Sequence, residues 1–394
     1  MSTATDHQTS AKDRHVTLFE VGPRDGLQNE KTLIAAADKI RLIDLLSQTG
    51  LQYIEATSFV SPKWVPQMAD ATEVLAGITR QPGVSYTALT PNLQGYRRAR
   101  SAKVHEVAVF AAASESFSRK NINCSIAESI ERFADVLSHA EADGIPVRGY
   151  VSCVAGCPYE GEIEPQAVAR VVAQLLVAGC YEVSLGDTIG SGTPESIDAM
   201  LRAVREVAPP ERLAGHYHDT QGRALENIEV SLEHGLRTFD AAVGGLGGCP
   251  YAPGCKGNVA SGAVVSRLHQ LGYHTGIDEA GLAAAAAFIT GLRSSHWRRF
   301  PAHARAAAGT GQARDGPTTR SGQHTGQNAL HLQAATAFHH NEKYQGDGSD
   351  QHIRPGKRCQ PVGPGVAQKL QQIKAMLQHP GYKLPHRDDQ SQHT

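Results

Sequence analysis

Val16-Thr17-Leu18-Phe19-Glu20-Val21-Gly22-Pro23-Arg24-Asp25-Gly26-Leu27-Gln28-Asn29-Glu30 sets the pattern of the chain. A short apolar, β-branched run ends in a glycine-flanked loop that carries a guanidinium beside a carboxylate. A longer stretch of helical period follows, and the pair of elements repeats to about residue 272. Strand candidates fall at 16–21, 53–57, 84–88, 106–110, 147–152, 182–185, 213–218 and 238–243, with amphipathic helices between them at 34–49, 126–143, 165–178, 194–207 and 223–234. Eight such units in ~250 residues predict an α/β fold of the TIM (β/α)8 barrel type. A doubly wound open sheet shares the alternation and is the second expectation. The two differ in closure: a barrel gathers the polar strand ends of many units at one mouth.

The chain has 394 residues and a formal net charge of −1. That balance lacks the electrostatic footprint of a nucleic-acid or anionic-membrane binder, so a small molecule is the expected partner. No apolar run approaches the ~20 residues of a membrane helix. Residues 1–14 are polar and lack the apolar core of a secretory signal, which makes a disordered N-terminus and a cytoplasmic setting the expectation. Seven scattered cysteines, an odd number, fit reduced thiols rather than a disulfide framework. Cys153 and Cys157 lack a second ligand pair nearby and read as buried thiols.

Several strand ends carry groups with chemistry. An Arg24-Asp25 pair can hold a cation through one member and steady a developing anion through the other. In isolation such a dipeptide is more often a surface ion pair. His216-Tyr217-His218 ends the seventh strand candidate, and side chains two apart on a strand share a face. Two converging imidazoles make poor core filling and good metal ligands, although His-x-His alone also fits satisfied core or surface histidines. Asp219 and Thr220 follow at once and could support the imidazoles. The eighth strand runs into a glycine-dense loop, 244–258, which also fits a flexible connector or, more weakly, a phosphate cradle; Cys249 within it is placed as a proton donor on a lid would be, and Asn258 offers an amide oxygen. Glu55, with Thr57 and Ser58 just after it, and Asp187 with Thr188 end two further strands. One Asp, two His and one Asn amide oxygen form a mixed oxygen and nitrogen set without thiolate, suited to Mg²⁺ or Mn²⁺.

After about residue 293 the alternation stops, and Gly, Gln, His, Arg and Pro crowd the sequence. The expected organisation is a barrel domain over 15–292 and a polar, non-catalytic tail over 293–394. Its segments 309–327 and 341–355 are too polar to offset ordering entropy and are expected to be disordered, with one weak helix at 366–377.

Residues 22–30, Ile54 through Met68, Gly186-Asp187-Thr188, His216 through Thr220 and Gly244 through Tyr251 together resemble the hydroxymethylglutaryl-CoA lyase family, within the metal-dependent TIM-barrel lyases and condensing enzymes. The resemblance covers about 15–291. It implies Asp25, His216, His218 and Asn258 as ligands of a divalent metal, Mg²⁺ or Mn²⁺. It implies Arg24 as the stabiliser of an enolate oxygen and Cys249 as the acid that protonates the enolate carbon. Glu55 and Asp187 become polar partners with catalytic roles, and Gln28, Ser58 and Thr188 join Arg24 in binding substrate. The implied reaction is retro-Claisen cleavage of 3-hydroxy-3-methylglutaryl-CoA to acetoacetate and acetyl-CoA, as in leucine degradation and ketone body formation, by a homodimer. Alternatives that share the barrel and metal site are a lyase for another 3-hydroxyacyl-CoA, a condensing acyltransferase of the isopropylmalate-synthase type, and an inactive remnant. The chain departs from the family at Gly262 and Ala263, where an acidic pair is usual, at Cys255-Lys256, and beyond about Ser294, where a helical end is usual. An altered reading frame near Leu292 would produce the last of these.

Overall fold

A computed structural model describes residues 14–30, 32–247 and 256–298. Its eight parallel strands close into a barrel: β1 (Thr17–Glu20), β2 (Tyr53–Ser58), β3 (Ser85–Leu89), β4 (Glu106–Ala112), β5 (Val147–Ser152), β6 (Glu182–Asp187), β7 (Leu213–Tyr217) and β8 (Thr238–Ala241). Closure is made by β1, which pairs with β8 along Thr17 to Glu20 and with β2 at Phe19 and Glu20. The open sheet is thereby excluded. Each strand is buried on both faces, one by the barrel interior and one by the helices, which is why the runs read as nearly continuous apolar stretches.

The helices are α1 (Ala36–Ser47), α2 (Ala71–Gly77), α3 (Leu93–Ser101), α4 (Glu115–Ile122), α5 (Ile126–Asp143), α6 (Pro165–Ala178), α7 (Pro194–Arg205), α8 (Ala224–Glu233), α9 (Ser261–Gln270) and α10 (Glu279–Arg298). Local signals fix their ends. Ser125 and Glu128 form a capping box on α5, which stops at Gly144 in the left-handed region. Thr193 caps α7, with Pro194 at its first position. The core between barrel and helices is built from outward-facing strand residues such as Val107, Val109, Val151, Val183 and Leu185.

Two elements differ from the sequence-based expectation. The eighth strand stops at Ala241, because Val243–Gly245 forms a tight 3₁₀ turn in which Gly244 and Gly245 have φ of 62° and 65°. Helix α10 carries regular structure to Arg298, beyond the point where the sequence loses its alternation. Chain contacts separate a unit containing Met1–Ser294 from a second, Ser295–Val362. The latter lies outside the described residues apart from the end of α10, as do the expected disordered segments and the weak helix at 366–377.

Candidate metal and active site

The carboxylate of Asp25 is presented by a turn that sequence reasoning took for an open loop. Gly22–Gly26 forms a single π-helical turn, closed by the Gly26 N–H on the Val21 carbonyl (3.2 Å). Such turns concentrate at functional sites because they re-aim a side chain without ending the chain's regular hydrogen bonding. Its glycines are sterically required. A Cβ on Gly26 would lie 2.6 Å from Leu246 Cβ, and one on Gly22 would lie 2.6 Å from Glu20 Oε1. Glu20, fully buried, accepts from the backbone N–H groups of Gly22 and Val243 (2.8 Å each) and from Ser261 Oγ (2.6 Å). Burial outweighs these three donors and pushes its carboxyl up to about 7.

Asp25, His216 and His218 bring one ligand atom each within 4.8 Å of one another. His216 Nδ1 donates to Asp240 Oδ2 (3.0 Å), which leaves Nε2 facing Asp25 Oδ2 at 3.9 Å. A carboxylate behind an imidazole fixes its tautomer and orientation, the usual arrangement of a metal-binding histidine. Asp240 is itself held by Ser184 Oγ (2.7 Å) and Arg148 Nη2 (2.8 Å). The two imidazole rings lie 5.4 Å apart, and His218 Nδ1 is buried without a hydrogen-bond partner among the described residues. Burial and the neighbouring His216 hold His218 down at about 4, so it is neutral at physiological pH. Burial would raise Asp25, but Arg24, the two histidines and the Asn258 amide hold it down at about 2. One ionised carboxylate, the neutral His218 and His216 in its deprotonated form give a donor set that fits a divalent cation. Asn258 lies beside the group: it pairs with His218 across an antiparallel bridge, and its Nδ2 donates to Asp25 Oδ2 (2.8 Å). The amide nitrogen, and not the oxygen expected as a ligand, therefore faces Asp25.

Arg24 stands next to this cluster and is 5% exposed, which removes the surface-pair reading. Its Nη1 donates to Asp25 Oδ1 (2.6 Å), its Nε to Glu55 Oε2 (2.5 Å), and its guanidinium carbon lies 5.4 Å from the centre of the Tyr150 ring. Glu55 is therefore a support for Arg24. A register shift between Glu55 and Thr57, where β2 runs beside β3, marks a bulge of the kind that re-aims side chains beside active sites. Gln28 Nε2 lies 3.3 Å from Asp25 Oδ1, and the buried Ser58 hydroxyl has no partner among the described residues.

Other sequence-selected residues do not join the cluster. Asp187 accepts from the backbone N–H groups of Ser191 and Gly192 (3.1 and 2.8 Å) and shapes the loop after β6. The Thr188 hydroxyl accepts from the N–H of Cys153 (2.9 Å), a residue at φ 62°. Asp219 and Thr220 do not support the imidazoles; they hold the returning chain, through Lys256 Nζ (2.8 Å) and the Lys256 carbonyl (3.0 Å) respectively. Cys153 and Cys157 are buried free thiols. Cys249 and Cys255 lie outside the described residues. Sequence reasoning missed Glu20, Arg148, Tyr150 and Asp240. Their one signal is a charged or polar residue at mid-strand or strand end, as in Val147-Arg148-Gly149-Tyr150 and Phe239-Asp240-Ala241.

The HMGL-like family model matches residues 15–289. A Pseudomonas aeruginosa protein named 3-hydroxy-3-isohexenylglutaryl-CoA/hydroxy-methylglutaryl-CoA lyase is 59% identical over 272 residues, 69% of this chain and 91% of that protein. The crystal structure of an HMG-CoA lyase from Brucella melitensis is 60% identical and superposes with a TM-score of 0.71, covering 71% of this chain and 99% of that one. An HMG-CoA lyase from Acinetobacter baumannii, solved with coenzyme A and 3-methylmalate, is 35% identical with a TM-score of 0.69, covering 78% of this chain and all of that one.

Proposed function

This chain belongs to the HMGL-like family, and from that premise we propose that it cleaves 3-hydroxy-3-methylglutaryl-CoA to acetoacetate and acetyl-CoA in a divalent-metal-dependent retro-Claisen reaction. The observation that carries the reading is the convergence of Asp25, His216 and His218 within 4.8 Å, with the Arg24 guanidinium 2.6 Å from the same aspartate. Asp25, His216, His218 and Asn258 hold the cation, for which Mg²⁺ or Mn²⁺ suits the mixed donors. Bound there, a divalent cation supplies Lewis acidity toward the tertiary hydroxyl and a carboxylate oxygen of the substrate.

In the balanced reaction the tertiary hydroxyl gives its proton to solvent, which returns one to Cys249 at the end of the cycle, and the bond to the thioester's α-carbon breaks. The former carbinol becomes the ketone of acetoacetate, and the departing fragment is the enolate of acetyl-CoA. Arg24 is placed to meet the enolate oxygen, and it remains charged because burial is overcome by Glu55 and Asp25. Glu55 fixes the fork of that guanidinium. Cys249 is the proposed donor of the proton that the enolate carbon takes up. Gln28 and Ser58 offer an amide and a free hydroxyl to the substrate's polar end, while Asp187 and Thr188 act by holding the loops around it. The proposed assembly is a homodimer. A cytoplasmic setting is also proposed, within a family whose named relatives include cytoplasmic and mitochondrial forms.

Incubating the full chain with 3-hydroxy-3-methylglutaryl-CoA and Mg²⁺ should give acetoacetate and acetyl-CoA in equal amounts, and a chelator should stop it. No cleavage by metal-loaded protein would reject the reading. In the same assay Cys249→Ala should lose most turnover with Mn²⁺ binding intact.

A further inference from the structure

Arg148 lies one residue inside β5 and is 1% exposed, yet it touches neither the ligand cluster nor Arg24 by hydrogen bond. Its three nitrogens go to three different partners: Nε to Glu182 Oε1 (2.7 Å), Nη2 to Asp240 Oδ1 (2.8 Å) and Nη1 to the Tyr150 hydroxyl (3.1 Å). Two of these partners are in direct contact with the site. Asp240 bonds His216 through its other oxygen, and the ring of Tyr150 lies under Arg24 and edge-on to His216, centroids 6.2 Å apart. The guanidinium is also stacked 4.0 Å from the centre of Phe19, which limits its own freedom to turn.

We propose that Arg148 is a positioning residue that holds the metal-bearing side and the Arg24-bearing side of the site in one frame, through Asp240 on one arm and Tyr150 on the other. The proposal rests on the function inferred above, because it takes His216 as a metal ligand and Arg24 as the group that meets the enolate. A guanidinium suits this role because its planar fork delivers several donors in fixed relative directions, which an ammonium cannot do. Filling the barrel floor would not explain the residue, since apolar side chains of similar volume fill a core without the desolvation cost of a buried charge.

The arms can be cut one at a time in the full chain, with Mn²⁺ titrated calorimetrically in the absence of substrate and kcat and KM measured separately. Asp240→Asn, which cuts the metal arm, should weaken Mn²⁺ binding by about tenfold or more. Tyr150→Phe should leave Mn²⁺ affinity at the wild-type level while kcat falls and KM changes little. Arg148→Gln should show both losses, and Arg148→Lys, with a single point charge, should recover at most one. Wild-type Mn²⁺ affinity and kcat in Arg148→Gln would overturn the proposal. Should Arg148→Gln not fold, the single-arm variants decide: equal loss of Mn²⁺ affinity in Asp240→Asn and Tyr150→Phe, or none in Asp240→Asn, would overturn it. Failure of the wild-type chain to cleave 3-hydroxy-3-methylglutaryl-CoA would instead count against the function, since the Mn²⁺ titrations contain no substrate.

Discussion

Arg24 and Asp25 are joined by one peptide bond and linked at 2.6 Å by their side chains, yet their losses should have different consequences. On the role proposed for Arg24, Arg24→Gln removes the charge that meets the developing enolate, so turnover should fall by about 10²–10³ or more with Mn²⁺ still bound. Asp25→Ala should lose turnover and also loosen Mn²⁺ in the same titration. Equal Mn²⁺ affinities in the two variants would refute this division. Protons report on the neighbouring ligand. Asp25 at about 2 and His218 at about 4 are already unprotonated near neutral pH, whereas His216 is raised above its ordinary 6.5, since Asp240 and Asp25 outweigh burial. A proton therefore competes with the metal chiefly at His216. Mn²⁺ should bind more tightly as pH rises above the ordinary histidine value of 6.5, with proton release on binding that is measurable in buffers of differing ionisation enthalpy. No proton release would remove His216 from the ligand set. The candidate ligands Asp25, His216 and His218 were legible because their types and strand-end positions name a chemistry. Asp240 was not, because a buried acid at mid-strand gives no sign of which neighbour faces it; only the register that pairs it with His216 does so.

At the level of elements, the π turn after β1 depends on packing from segments distant in sequence. Glu20 ties that turn to the 3₁₀ turn after β8 and to the first residue of α9 with three hydrogen bonds. Glu20→Ala should cost about 2–4 kcal/mol in denaturant unfolding, by leaving buried donors unpaired. Glu20→Gln can keep all three contacts and should cost far less. The pH dependence has a definite sign. A carboxyl moved from its ordinary 4.5 to about 7 by burial contributes stability that is present below 4.5 and lost as pH rises through 7. Wild-type stability should show that loss and Glu20→Gln should lack it; parallel curves would show that Glu20 does not titrate in this window. The turn was illegible as an element because its sequence, Gly-Pro-Arg-Asp-Gly, also reads as a flexible loop. What makes it regular is the close approach of Leu246, 220 residues on.

The barrel as a whole was the most legible level. Eight apolar runs separated by helical stretches survive errors of one or two residues at any end, and burial on both faces keeps each run free of the alternation that could have disguised it. The helix that continues to Arg298 was hidden because an alanine-rich segment carries little periodic contrast. Closure itself was inferred from count alone, and the pairing of β1 with β8 supplies it.

That pairing has a consequence for the order of events in folding. Asp25 leaves the ribosome among the first residues of the barrel, whereas the groups that complete its surroundings come last. Asn258 is 233 positions later, and the Ser261 hydroxyl that anchors Glu20 is 241 positions after it. Contacts of such long range form late, after the loop entropy between them has been overcome. With the ligand set proposed above, a nascent chain lacking β8 would carry Asp25, His216 and His218 but not Asn258, so full metal affinity would report that the ring has shut. On that reading the reactive centre is completed only as synthesis of the barrel finishes.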